Sequence, residues 1–225
     1  MKKFLLSGVA FLLGISAANA QDAIFDNPDN RAYFGVRLGI DIACPTKVTQ
    51  PVEFEGHFIE MKTKAFKTGG GFSIGGIYNR PIFYNFYVEP GLNFYYNAYN
   101  FNNNWYGETK GSIRKFGMRI PVMLGYHFDF TDDIKVYVFT GPELEIGFTA
   151  KQHTKTDNIS SYYNVYSKEG YMQRADVLWD FGAGVSYQKY YVGISGGIGM
   201  CNMSKNAHGV SFHENRASIT FGYNF

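Results

Sequence analysis

The chain has 225 residues, 21 basic and 19 acidic, with 18 Tyr, 21 Phe and 26 Gly. So even a charge balance offers no argument for nucleic-acid binding, and two cysteines, Cys44 and Cys201, are too few for a disulfide scaffold. The load of aromatics and glycine is heavy for a water-soluble domain and requires a surface other than water for Tyr and Phe to face.

The opening "MKKFLLSGVAFLLGISAANA" joins two lysines, an apolar run and small residues ending Ala18-Asn19-Ala20. This predicts a secretory signal peptide over 1–20, cleaved after Ala20. The run is too short and too glycine-interrupted to span a membrane as a helix, and no Cys follows the cut to carry a lipid anchor. Loss of Lys2 and Lys3 would bring the basic residues level with the acidic ones. Residues 21–32 read as a polar periplasmic lead-in, and 33–225 as one domain with no linker. No apolar stretch approaching ~20 residues follows the signal, so hydropathy alone describes a soluble exported protein.

From Tyr33 onward the period is two, and no segment has a helical period. In 33–43, Phe34, Val36, Leu38, Ile40 and Ile42 alternate with Gly35, Arg37, Gly39 and Asp41. The same alternation runs through 70–79, 84–96, 114–126, 134–149, 176–187, 190–201 and the closing 216–225. These are eight segments of about ten residues or a little more, the length a tilted strand needs to cross a bilayer. The apolar faces carry no charge except Arg114, at a strand end. Short turns around "RPIF", "HFDFTDD" and "QK" alternate with long polar connections at 44–69, 97–113, 150–175 and 202–215. That alternation predicts an all-β fold, an eight-stranded antiparallel up-and-down transmembrane β-barrel, with both termini at the periplasmic edge.

The opposite faces hold Arg37, Asp41, Glu89, Lys115, Arg119, Glu143, Glu145, Asp176, Asp180 and Arg216. An eight-stranded barrel is only wide enough to be filled by side chains, so these charges are expected to pair as a lumen polar network. Three roles compete for it: a structural plug, a narrow gated conduit and a catalytic cluster. The plug fits the small bore best.

Of the histidines, His57, His153, His208 and His213 fall in the long loops and His127 in a periplasmic turn. Within "SFHENRAS", His213, Glu214 and Ser218 offer a lipid A-modifying site, yet Ser218 has the parity of the lumen rather than the lipid-facing wall. No finger-spaced Cys or His pair and no calcium-loop pattern occurs, and the glycine clusters lead into no helix that would cradle phosphate. No metal, cofactor or catalytic residue is therefore assigned. Cys44 and Cys201 lie on strands with one strand between them, and two spacings of about 4.8 Å exceed the usual disulfide reach. A bridge between them stays open.

The loops are the remaining contact surface. "VEFEGHFIEMKTKAF" (52–66) alternates enough to extend the first two strands as a hairpin. Trp105 and Tyr106 mark the second loop, and Tyr162, Tyr163, Tyr166 and Tyr171 the third. Such aromatic loops suit an extracellular protein or glycan, or packing on lipopolysaccharide sugars. The chain ends "ASITFGYNF", with Ile219, Phe221, Tyr223 and Phe225 on one face. That is the form of a C-terminal signal read by the barrel-assembly machinery through strand addition.

The phrases "FYVEPGLNFYY" (86–96), "IPVMLGYHF" (120–128), "VYVFTGPELEIG" (136–147) and "DFGAGVSY" (180–187) resemble the porin-like, PorT-like outer-membrane β-barrel proteins of Bacteroidetes. There is also a general likeness to the barrel of outer membrane protein A, without its periplasmic peptidoglycan-binding domain. The resemblance implies the fold and an outer-membrane location, and the reading of the chain is a monomeric barrel of structural or surface-contact role. A small pore, or less readily a lipid A-modifying enzyme, is the alternative.

Overall fold

The computed structural model describes residues 31–225 apart from 55–56, 104–108, 157–158 and 206–208. The signal peptide and most of the lead-in lie outside the described residues, as do Trp105, Tyr106 and His208. The strands are β1 (Tyr33–Pro45), β2 (Val48–Phe54), β3 (His57–Thr63), β4 (Gly69–Phe83), β5 (Phe86–Asn103), β6 (Thr109–Asp129), β7 (Ile134–Thr156), β8 (Ile159–Asn164), β9 (Ala175–Tyr187), β10 (Tyr190–Gly199) and β11 (Glu214–Asn224).

The alternation in β1 dictates its placement. Arg37 and Asp41 are buried, while Phe34, Leu38 and Ile40 are exposed, Phe34 at 65%. Every membrane strand repeats this inside-out order, with Phe72, Trp179, Ile194 and Phe221 outward. A wall so apolar is stable only against lipid, and in lipid an unpaired strand edge costs several kcal/mol. The sheet therefore closes: eight strands run β1-β4-β5-β6-β7-β9-β10-β11 and return to β1, all neighbours antiparallel. The seam joins the first strand to the last, from Gly35 opposite Asn224 to Pro45 opposite Glu214. The Phe225 amide adds a bond of 2.8 Å to the Phe34 carbonyl.

Rings mark the two rims. At the periplasmic end Phe86 meets Tyr126 at 4.9 Å and Tyr190 meets Tyr223 at 5.5 Å. At the outer end Phe72 lies 5.7 Å from Tyr96, and Phe116 5.7 Å from Phe148. Amphipathic aromatics favour these depths.

Several expected boundaries shift. Residues 80–83 complete β4 instead of turning; the turn is at Tyr84 and Asn85, where Tyr84 takes φ 46° and leaves the apolar strand face. β6 runs to Asp129, which puts His127 in a strand, buried and facing inward. The connections 97–113 and 150–175 are strand-built at their bases, since β5, β6 and β7 extend past the outer girdle, with His153 in β7. Their polarity hid this, because above the membrane both faces of a strand meet water or other polar groups. β8 adds itself to the extracellular end of β7. The expected extension of the first loop is a separate hairpin, β2 with β3.

Candidate functional site

The barrel interior is filled in storeys. Inward alternation on β1, β6, β7, β9 and β11 aims charged side chains at the axis, and they meet as one chain of alternating sign. Glu214 lies 2.7 Å from the Lys115 ammonium, which also reaches Glu145 at 3.3 Å. Glu145 accepts from Arg119 Nε at 3.0 Å, and Arg119 donates to Asp41 at 2.6 Å. Glu143 lies 3.7 Å from Arg119 and is bound by Arg216, whose other nitrogen donates to Asp180 at 2.7 Å. Asp41 also accepts from Ser218 Oγ at 2.8 Å. Lys115 is 0% and Arg119 3% exposed. Charges this deep persist only because each faces an opposite charge and a hydrogen bond. The Arg119 guanidinium also lies over the Tyr95 ring, 4.1 Å from its centroid. Tyr95 leans across Gly117 on β6, where an added Cβ would meet the ring at 2.8 Å. This glycine is what leaves room for the ring.

The structure thus joins Asp41, Lys115, Arg119, Glu143, Glu145, Asp180 and Arg216. It does not join the other three expected members. Arg37 donates to Asn224 Oδ1 at 2.8 Å and lies over Tyr191 at 4.4 Å, Glu89 accepts from Asn79 at 2.9 Å, and Asp176 accepts from the Cys201 amide at 3.1 Å. Sequence reasoning placed Glu214 in an outer-rim motif; it is a lumen residue bound to Lys115. Its parity with Arg216 and Ser218 was the available signal.

Outside the ionic storey, apolar side chains pack together at the extracellular mouth. Ala43, Tyr99, Ile113 and Ala150 from the wall pack with Phe66, Val165, Tyr166, Met172, Met203 and Phe212 from the loops. Backbone bonds pin these loops in place: the Val165 amide to Ala150 at 2.9 Å, Gln173 to Met203 at 2.8 Å, and Met203 to Phe212 at 2.9 Å. Phe66 stacks between Tyr99, edge-on at 5.8 Å, and Phe212 at 5.1 Å. Burial pushes the Tyr166 hydroxyl up to about 12.

On the periplasmic side a cavity of about 100 Å³ lies between the ion pairs and Arg37, bordered by Glu89, Asn93 and Tyr191. Below it Tyr87, Tyr137 and Tyr191 form a belt with edge-to-face spacings of 5.7 and 6.0 Å, and His127 lies against Tyr87 and Tyr137. A wider vestibule of about 570 Å³ opens beneath, lined by Tyr33, Asn79, His127, Lys135 and Asn224 among others.

The other candidates separate in space. Ser218 is committed to Asp41 inside the lumen and Glu214 to Lys115, and among the described residues no hydrogen bond joins either to His213. Cys44 and Cys201 are free thiols, each half-buried. Ile219 and Phe221 on β11 and Phe225 just past its end are exposed, and Tyr223 packs on Tyr190 and on Phe225 at 5.3 Å.

The family model described as outer membrane protein beta-barrel domain matches residues 18–223. Among solved structures the chain is similar to OprG of Pseudomonas aeruginosa (13% identity, 87% of this chain and 97% of that one, TM-score 0.46). It is similar to Neisserial surface protein A (14%, 87% and 99%, TM-score 0.41) and to Ail of Yersinia pestis (14%, 87% and 99%, TM-score 0.40). A search of curated proteins finds no match. The matched span covers nearly the whole of the closed wall, and the chain belongs to the outer membrane protein beta-barrel domain family.

Proposed function

We propose that this outer-membrane protein is a non-enzymatic, monomeric barrel with a sealed lumen, acting in surface contact through its extracellular loops. The observation that supports the reading is side-chain packing at two heights of the barrel. A chain of buried ion pairs fills the mid-barrel, and the loop residues Phe66, Val165, Met172, Met203 and Phe212 fill its mouth. Loops folded onto a common core form a fixed platform, and a fixed platform binds with less ordering cost than mobile loops. The β2–β3 hairpin projects from it with Phe54, Phe58 and Ile59 exposed, Phe58 at 76%.

A narrow conduit is the second reading, favoured by the 570 Å³ vestibule and the 100 Å³ cavity above it. Lipid A modification has less support, since Ser218 and Glu214 are engaged elsewhere. Export uses the 1–20 signal, cut after Ala20, with 21–32 as lead-in. The barrel-assembly machinery reads Ile219, Phe221, Tyr223 and Phe225. Deleting Phe225 removes the last pairing with Phe34, and impaired insertion in cells is the expected result. The quoted strand phrases support a place among the porin-like, PorT-like barrels of Bacteroidetes.

The contact role is tested by binding of refolded protein to arrays of extracellular proteins and glycans, with and without residues 48–63. Loss of binding with the hairpin supports it. Equal binding by the trimmed chain, or altered lipid A mass on expression, overturns it.

A further inference from the structure

Above the outer girdle the barrel wall continues, and its outward face changes from aromatic to basic. In an antiparallel pair directly opposite residues share a face. Phe116 stands opposite Thr149 beside Phe148, and the next outward pair up is Arg114 opposite Lys151. Beyond it comes Ser112 opposite His153. Arg114 and Lys151 are both exposed, while their inward neighbours Ile113 and Ala150 are 0% exposed in the plug. The two cations therefore stand on a rigid wall and not on a pliant loop.

Like charges directly opposite each other destabilise a sheet, and among the described residues neither Arg114 nor Lys151 has an acidic partner. The arrangement is also local. At the outer ends of the other membrane strands the outward positions are uncharged: Ile42, Gly70, Ala98, Val177, Met200 and Ala217. β8 widens the face, with Asn164 opposite Lys151 and Tyr162 opposite His153. The Tyr162 ring is stacked on His153 at 4.7 Å and is 76% exposed. Arg114 lies two residues beyond Phe116, ~7 Å along the strand, which is headgroup depth once the rings mark the edge of the hydrocarbon.

We infer that this ladder is a docking site for the phosphorylated headgroup of an outer-leaflet glycolipid. Arg114 and Lys151 take the phosphate, the guanidinium through its fork of donors, and Tyr162 and Asn164 lie against the sugar. An anion bridging the pair removes the cross-strand repulsion that the chain alone leaves uncompensated. The inference rests on the outer-membrane placement and is independent of whether the lumen is sealed.

The test uses full-length protein refolded in detergent micelles and washed. Retained lipid A is measured by mass spectrometry for the bisphosphorylated and the dephosphorylated forms, with inorganic phosphate as competitor. R114Q/K151Q is compared with K62Q/K67Q, which removes the same charge from the first loop. Heat-modifiable gel migration reads folding of each variant separately, so a failure of the barrel reading would appear as an unshifted wild-type band. The expected result is retention by wild type and K62Q/K67Q, and about tenfold less by folded R114Q/K151Q. Dephosphorylated lipid A should bind weakly, and inorganic phosphate should not displace the lipid. Equal retention by folded R114Q/K151Q, equal binding of the dephosphorylated lipid, or displacement by inorganic phosphate alone would overturn the site.

Discussion

The mid-barrel and the extracellular mouth are packed by opposite chemistry. At Arg119 the interior is held by charge: one guanidinium faces Asp41, Glu143 and Glu145. A few turns of chain away, around Met172 and Phe212, it is held by apolar contact and loop backbone bonds. The difference follows from what each region is attached to. Strand residues in the lumen come in fixed positions set by pleat and register, so long charged side chains from facing walls can be matched. Loop residues have no register, and apolar side chains tolerate that looseness because burial is non-directional. The same contrast predicts different failure. Charge layers break when one partner is lost; a packed plug loosens locally.

The largest effect should come from Arg119→Met. It leaves three buried carboxylates without that partner, and removing one member of a buried ion pair costs about 3–5 kcal/mol. The urea midpoint of the folded, fast-migrating form should fall accordingly, and an unchanged midpoint would mean that the ionic storey contributes little. Phe212→Ala comes next. Phe212 is 3% exposed and packs on Phe66, and such a truncation costs about 3 kcal/mol or more. Here the loss should be confined to the mouth, seen as faster proteolysis within the loops while the barrel band stays folded. If instead the barrel midpoint falls as for Arg119→Met, the two storeys are one cooperative unit. The smallest effect belongs to Asp129→Asn. Asp129 lies 3.5 Å from both His127 and Lys135 at the wet periplasmic rim, where an exposed pair is worth at most about 1 kcal/mol. Its small effect should vanish in high salt, whereas the Arg119→Met deficit should persist.

The same contrast decides what could be read from the sequence. The wall was legible because one constraint, lipid outside, acts on every second residue from Phe34 to Phe225. The inward charges came with it, since parity that sends Leu38 to lipid sends Arg37 and Asp41 to the axis. Glu214 escaped because the closing strand begins at Glu214, two residues before the segment read from its alternation, 216–225. The extensions carrying Asn100, Ser112 and His153 escaped because outside the hydrocarbon no face must be apolar, so alternation fades while the strand continues. The plug was illegible in principle. Val165, Met172, Met203 and Phe212 are isolated apolar residues in polar segments, and only the folded loops bring them onto Ile113 and Ala150. Which seven of the ten inward charges join one chain likewise depends on height along the barrel. That is a property of stagger between strands, not of any one strand.

The central claim is that the lumen is closed twice, and single-channel recording in planar bilayers tests it most directly. Wild type, Arg119→Met and Phe212→Ala should each leave the membrane without resolvable current steps, since each retains at least one closure. Conductance should appear only when the two substitutions are combined. Steady conductance steps from folded wild type, altered by neutralising Arg119 or Glu143, would contradict the account and establish the conduit.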